Sequence, residues 1–211
     1  MTSTLSQLQF WNARFAGTEY FYGSDAGPVA RRAVRYHRPL WKGSAPSALD
    51  IGCGEGQDLA FLAEAGYVAT GLEPTASGAQ KTRRLLHERG LQAEVVNADW
   101  REYSPPSQFD LVLAVNSLQF LGADAALGLA RARDAVAPGG VLGLSLFARA
   151  EDEEAMRDGV AFFTEPELLA HFDCEGAERR WQRLETAQLA QWNRDTNRPQ
   201  PFLTLVAQRL K

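Results

Sequence analysis

Histidine, cysteine and methionine are scarce in this chain of 211 residues, which holds three, two and two of them. Cys53 and Cys174 cannot build the disulfide framework of a small secreted domain, and with His37, His87 and His171 they still fall short of a structural zinc site. No metal is expected. Long apolar runs are also missing: nothing approaches the roughly 18–20 uninterrupted residues that a spanning helix needs, and MTSTLSQLQF lacks the basic start and apolar middle of a signal peptide. The expected setting is cytoplasmic, without a membrane partner. Neither sign of charge dominates, with 22 Lys+Arg against 26 Asp+Glu and a net charge of -4, so no global field draws the chain to phosphate backbones. At 45% apolar and 23% charged residues, disorder, a collagen-like fibre and a coiled coil are excluded as well. The length fits one domain, or one domain with an appended lid, at roughly 100–200 residues per domain.

What is present is an alternation of apolar runs and amphipathic stretches. Residues 25–41, DAGPVARRAVRYHRPLW, place Pro28 where a first helical turn tolerates it and Val29, Ala33, Tyr36 and Leu40 at spacings of three to four, which predicts a helix. Its arginines fit a solvated face or a small anionic ligand. ALDIGCG then reads as a buried strand running into glycines, GQDLAFLAEAG as a helix, YVATGLE as a second strand, TASGAQKTRRLLHERG as a helix and LQAEVVNAD as a third strand. FDLVLAVNS is a fourth strand, ADAALGLARARDAVAPGG a helix closed by Pro138 and two glycines, and VLGLSLF a fifth strand. Strands alternating with helices imply an α/β fold with a parallel sheet covered on both faces. EDEE at 151–154 reads as an exposed loop, and Thr164 with Glu167 forms a capping box that starts a short helix. Two β-like runs, AERRWQRLE and PFLTLVAQRL, end the chain as an antiparallel pair, with QLAQWNRDTNRPQ expected as a long loop between them.

The strongest local signal is Asp50-Ile51-Gly52-Cys53-Gly54-Glu55-Gly56 at the end of the first strand. In open parallel sheets ligands sit beyond the carboxyl ends of the strands, and glycines there let backbone approach them closely. A dinucleotide fingerprint needs G-x-G-x-x-G, but Gln57 stands at the third position. Asp50, two residues before the first glycine, repels a pyrophosphate and attracts an ammonium. The second strand ends at Glu73, whose carboxylate can accept from two vicinal ribose hydroxyls. The third ends at Asn97-Ala98-Asp99-Trp100, where a carboxylate can accept from an adenine amino group while the Ala98 backbone and the indole frame the ring. Carboxylates at the ends of three successive strands point to a nucleoside.

These residues carry a resemblance. ALDIGCGEGQDLAFLAEAGYVATGLEPTASG, NADW at 97–100, FDLVLAVNSLQFL and APGG resemble class I S-adenosylmethionine-dependent methyltransferases over about residues 46–147. The resemblance implies a Rossmann-like, seven-stranded, mostly parallel sheet whose last strand is antiparallel, with helices on both faces. It implies that Gly52, Cys53, Gly54 and Gly56 contact the methionine part of S-adenosylmethionine with Asp50 nearby. Glu73 with Pro74 beside it would bind the ribose, Ala98, Asp99 and Trp100 the adenine, and Asn116 would close the site. FWNARFAG, NSLQFL, FTEPEL and TLVAQR are similar to the bacterial tellurite-resistance methyltransferases and, more distantly, to the thiopurine methyltransferase group. In the tellurite group the loop between the last two strands carries a histidine and arginines; here residues 188–194, QLAQWNR, hold no histidine, and Arg194 and Arg198 are the remaining candidates for an anion-binding role toward the acceptor.

The implied activity is methyl transfer to an O, N, S or chalcogen atom of a small molecule. The alternative is a non-catalytic S-adenosylmethionine-binding module acting as a sensor or assembly partner. Residues 1–45 would form a helical lid and residues 46–211 the cofactor-binding domain, as a monomer or homodimer. Cys53 lies in a turn that needs a small residue and reads as structural. His37, on the predicted N-terminal helix, fits either a base or a packing role. Trp11, Tyr20 and Tyr22 before that helix, with Phe147 and Phe163 after the fifth strand, are expected to wall an acceptor pocket or to pack the lid. Asn116-Ser117-Leu118-Gln119 departs from the Asn-Pro-Pro-aromatic sequence of enzymes that methylate flipped bases, so no nucleic acid partner is expected.

Overall fold

The computed structural model describes residues 2–150, 153–172, 180–193 and 198–210. Helix α1 (Thr2–Phe15) and α2 (Pro28–His37) precede the sheet. β1 (Ser47–Ile51), α3 (Gln57–Glu64), β2 (Val68–Leu72), α4 (Ala76–Glu88), β3 (Glu94–Val96) and β4 (Phe109–Val115) then alternate. A 3-10 segment (Leu118–Asp124), α5 (Ala125–Asp134) and β5 (Val136–Phe147) follow. A small hairpin of β6 (Met156–Arg157) and β7 (Val160–Ala161), α6 (Glu165–Ala170), β8 (Trp181–Asn193) and β9 (Arg198–Arg209) complete the chain.

Seven strands form the main sheet in the order β3-β2-β1-β4-β5-β9-β8. β3 to β5 are mutually parallel, and β9 runs antiparallel to both of its neighbours. The last strand is thus the antiparallel one, as the resemblance implies. The order reverses between β2-β1 and β4, which opens a crevice beyond the carboxyl ends of β1 and β4. β4 shows why the apolar run becomes a central strand: Leu111 to Ala114 are all buried, two on each face. One face packs Ala30, Ala33 and Val34 of α2, Leu59 and Leu62 of α3, and Leu85 of α4 against the sheet. The other packs Leu129 and Ala132 of α5, Leu168 of α6, Phe172 and Trp181.

Four expectations need correction. The residues around Trp11 and Phe15 belong to a helix of their own, α1, so the aromatic cluster does not precede the first helix. The turn APGG is absorbed into β5, where an irregularity in the β4 pairing takes up the extra residues. β3 is only three residues long. The described residues of the stretch expected as a long loop, 188–193 and 198–200, continue both tail strands, whose pairing runs from Trp181↔Arg209 to Asn193↔Arg198 with one irregularity between Arg183 and Glu185. Gln188, Leu189 and Ala190 are exposed there, so a ladder of backbone hydrogen bonds holds the extension and no apolar face marks it in sequence. The capping box is present: Thr164 Oγ1 accepts from Glu167 N, and Glu167 accepts from Thr164 N at 2.8 Å.

Candidate functional site

β1 delivers its last residues into a turn whose backbone only glycine adopts without strain. Gly52, Gly54 and Gly56 have φ of 73°, 57° and 93°. At Gly52 a Cβ would also stand 2.4 Å from Ser117 Cβ, in the turn after β4, so the two turns close on each other across the switch point. The crevice above them is a cavity of about 320 Å³. Asp50, Gly52, Cys53, Gly54, Glu73, Pro74, Asp99, Trp100 and Asn116 all line it, so chain segments far apart in sequence meet there. Gly56 and Ala98 do not reach its wall: Gly56 is the N-cap of α3, and Ala98 packs on the core.

The carboxylates sit in three different environments. Asp50 is 2% exposed and its Oδ2 has no partner. Burial first, then the charges of Asp58 and Glu73, push its carboxyl well above the ordinary carboxylate range. Glu73 is also buried and raised by desolvation, against hydrogen bonds from Thr75 N (2.8 Å), Thr75 Oγ1 (2.5 Å) and Gly54 N (3.0 Å). It therefore ties the end of β2 to the glycine turn. Asp99 differs: burial raises it, but Arg101, donating from N, Nε and a terminal nitrogen, outweighs that and holds it below its usual value. Trp100 is 4% exposed, donates Nε1–H to the Gly128 carbonyl and lies 4.8 Å from the Arg131 guanidinium. Asn116 takes the left-handed conformation at φ 52°, held by Ser145 Oγ donating to its Oδ1 at 2.7 Å.

Glu55, Lys81 and Asp58 are charged neighbours of the turn that the sequence reading missed. Glu55, inside the glycine turn, pairs with Lys81 of α4 at 2.7 Å, with side-chain exposures of 0% and 6%. The same carboxylate accepts from Phe21 N and Tyr22 N, while Lys81 Nζ donates to the Glu19 carbonyl. Asp58, raised by burial, accepts from Gly27 N at 2.7 Å. These bonds bind residues 19–27 across the turn and bring Tyr22, Asp25 and Gly27 to the cavity wall. A charged residue between two glycines is the signal that could have found Glu55. Nothing in an amphipathic helix marks Lys81 as buried.

The acceptor-side candidates divide. Trp11 and Tyr22 line the cavity, with Phe15 and Phe120, and Trp11 stacks on Phe15 at 5.5 Å and meets Phe120 edge-on at 5.0 Å. Tyr20 does not line it; its ring lies against Lys81 and Arg84 on α4. Phe147 stands behind Phe120, between Phe162 and Phe202, and Phe163 is buried in the core. The base role for His37 is excluded by position. It is buried at the opposite end of the sheet, bonded through Nδ1 to Tyr67 Oη at 2.7 Å beside the start of β2, and burial lowers its basicity. Arg194 lies outside the described residues. Cys53 lines the cavity, but its Sγ lies 3.8 Å from Thr82 Oγ1, and burial first, then the Asp50 and Glu73 charges, push its thiol up, the reverse of what activates a nucleophile.

Residues 48–140 match the family model described as a methyltransferase domain. No curated protein matches the chain. Among solved structures, TehB from Haemophilus influenzae is similar with a TM-score of 0.72 at 14% identity, over 96% of this chain and 67% of that one. The 1,6-didemethyltoxoflavin-N1-methyltransferase of Burkholderia thailandensis, solved with 1,6-didemethyltoxoflavin and S-adenosylhomocysteine, aligns with a TM-score of 0.68 at 20% identity, over 98% of this chain and 88% of that one. NodS, an N-methyltransferase from Bradyrhizobium japonicum WM9 in complex with S-adenosylhomocysteine, also gives 0.68, at 18% identity over 97% of this chain and 99% of that one.

Proposed function

We propose, for a chain whose residues 48–140 match a methyltransferase domain, that it binds S-adenosylmethionine and moves the cofactor's methyl group to an O, N, S or chalcogen atom of a small molecule, leaving S-adenosylhomocysteine. The observation that carries this reading is the cavity at the switch point, where a buried carboxylate without a partner, Asp50, adjoins glycines whose missing side chains leave the backbone open to a ligand. Those features fit a cofactor with an ammonium at one end and a nucleoside at the other. Asp50 would hold the ammonium, Gly52 and Gly54 the methionine chain, Glu73 the ribose hydroxyls, and Asp99 with Trp100 the adenine. When bound, the cofactor supplies a methyl group already activated by its sulfonium.

The protein's own task is then positioning and exclusion of water, which can supply most of the acceleration when reacting atoms are held about 3–3.5 Å apart. Trp11, Phe15, Tyr22 and Phe120 close the side of the cavity away from the strand ends. The bonds from Glu55, Lys81 and Asp58 keep residues 19–27 over the turn, so of the segment 1–45 expected as a lid, α1 and residues 19–27 serve as one, while α2 belongs to the helical layer on the sheet. No described residue is assigned as a base. The similar 1,6-didemethyltoxoflavin-N1-methyltransferase, solved with 1,6-didemethyltoxoflavin, supports a small-molecule acceptor. Among the described residues no helix is long and apolar enough to cross a membrane, and we read the enzyme as cytoplasmic, without a nucleic acid partner, working as a monomer or homodimer. Incubation with S-adenosylmethionine and a panel of thiols, phenols, amines and chalcogen oxyanions, with mass spectrometry for a product one methyl heavier, tests the activity. The reading requires such a product together with S-adenosylhomocysteine; hydrolysis of the cofactor alone, at the rate seen without acceptor, would contradict it.

A further inference from the structure

The side of the cavity away from the strand ends has a chemistry of its own. Trp11 lies between Phe15, stacked at 5.5 Å, and Phe120, edge-on at 5.0 Å, with Tyr22 at 6.3 Å. Such faces favour a flat ring, because offset-stacked and edge-to-face contacts add to simple burial. Trp11 Nε1 is withdrawn from solvent and has no acceptor. A buried indole N–H normally finds one, so a ligand acceptor is the missing partner.

Charge narrows the class further. Six carboxylates line the cavity, and Arg101 is its only lining cation among the described residues. Arg101 already donates to both carboxylate oxygens of Asp99. Even with Glu55 paired to Lys81 and Asp99 to Arg101, the carboxylates of Asp25, Asp50, Asp58 and Glu73 face the cavity with no lining cation left among the described residues to meet an anionic acceptor. That is the reverse of an oxyanion site, where cations or clustered N–H donors meet the ligand.

We propose that this wall binds a planar aromatic acceptor without negative charge, with a hydrogen-bond acceptor atom directed at Trp11 Nε1, and that it rejects chalcogen oxyanions. The inference rests on the methyl-transfer reading and names its substrate class. Tellurite, which the resemblance to the tellurite-resistance enzymes implies, is thereby set aside.

The test is calorimetric titration of the protein, first with S-adenosylhomocysteine and then, once loaded, with 2-naphthol, 2-naphthoate and tellurite. The two naphthalenes share a ring system and differ in charge. 2-Naphthol is expected to bind, 2-naphthoate to bind at least about tenfold more weakly, and tellurite to give no binding heat. Trp11→Phe keeps the stacked ring and removes the donor, and should weaken 2-naphthol about five- to tenfold while leaving the S-adenosylhomocysteine affinity unchanged. Binding of 2-naphthoate or tellurite as tight as that of 2-naphthol overturns the proposal, as does a loaded protein that takes none of the three. Undiminished 2-naphthol binding in Trp11→Phe overturns the role of the indole donor. Failure to load S-adenosylhomocysteine is a separate outcome, since it overturns the methyl-transfer reading itself.

Discussion

Asp50→Asn separates a ligand-binding carboxylate from one that only shapes a turn. The substitution keeps the side chain's size and removes a charge that is 2% exposed, has an unpartnered Oδ2 and feels Asp58 and Glu73. The amide still has no partner, but losing the buried charge and its repulsion by Asp58 and Glu73 is worth about 1–3 kcal/mol, which for a domain of this size raises the Tm of the free protein by roughly 2–12 °C. Cofactor binding should move the opposite way. A charge-assisted hydrogen bond to the ammonium contributes about 1.5–3 kcal/mol, so S-adenosylhomocysteine should bind Asp50→Asn roughly 10- to 150-fold more weakly, with adenosine much less affected.

The pH dependence follows from the same group. The folded protein holds the Asp50 proton to higher pH than the unfolded chain does. The resulting stabilisation is complete below the ordinary carboxyl range and is lost as pH rises through the raised folded value. The Tm of the free wild-type protein should therefore fall across that window, and less steeply in Asp50→Asn. An ammonium favours the ionised carboxylate, so S-adenosylhomocysteine affinity should rise with pH over the same window, with protons released. Thermal melts across pH, and calorimetry in two buffers of different ionisation enthalpy, read both effects. A lowered Tm in Asp50→Asn with unchanged S-adenosylhomocysteine affinity would refute the reasoning and leave Asp50 as a turn residue.

Three further substitutions probe other parts of the site. Glu73→Gln should weaken S-adenosylhomocysteine and adenosine equally, by about 1–3 kcal/mol, because its role is at the ribose; titration with both ligands distinguishes this from the Asp50 pattern. Lys81→Met strands Glu55, whose side chain is 0% exposed, and should cost about 3–5 kcal/mol, a Tm drop of roughly 6–20 °C. The double variant Glu55→Gln/Lys81→Met should recover part of that in the same melts. His37→Phe should leave kcat/KM for the methylated acceptor unchanged, because His37 bonds Tyr67 at the far end of the sheet, while lost hydrogen bonding lowers stability by about 1 kcal/mol; a large fall in kcat without a loss of fold would return it to the site.

Much of the fold is legible because apolar runs such as FDLVLAV admit little but a strand buried on both faces, and because punctuation at Gly66, Gly90 and Thr164 marks where elements stop or start. The strand-end carboxylates were legible for a related reason: polar residues closing apolar runs stand where a parallel sheet offers its ligand crevice. What escaped depends on tertiary contact. Helix α1 has no acidic residue in its first turn, and one of its inner rings, Phe15, reaches within 3.5 Å of where a Gly54 Cβ would lie. Its packing partner is 39 positions away. The extension of β8 and β9 is polar and exposed, so backbone pairing with no apolar face holds it. His37 shows the limit of a pattern reading, since the helical period gives its face but not which end of the sheet that face meets. Lys81 and Glu55 are buried only because each neutralises the other.

The most direct test of the account is calorimetric titration of the purified protein with S-adenosylhomocysteine, with NADH as the control. The geometry of the glycine turn, with Gln57 in place of a third fingerprint glycine and Asp50 at its entry, predicts one S-adenosylhomocysteine site per chain and no heat from NADH. Binding of NADH, or no binding of S-adenosylhomocysteine across the pH range in which the fold is intact, would contradict it.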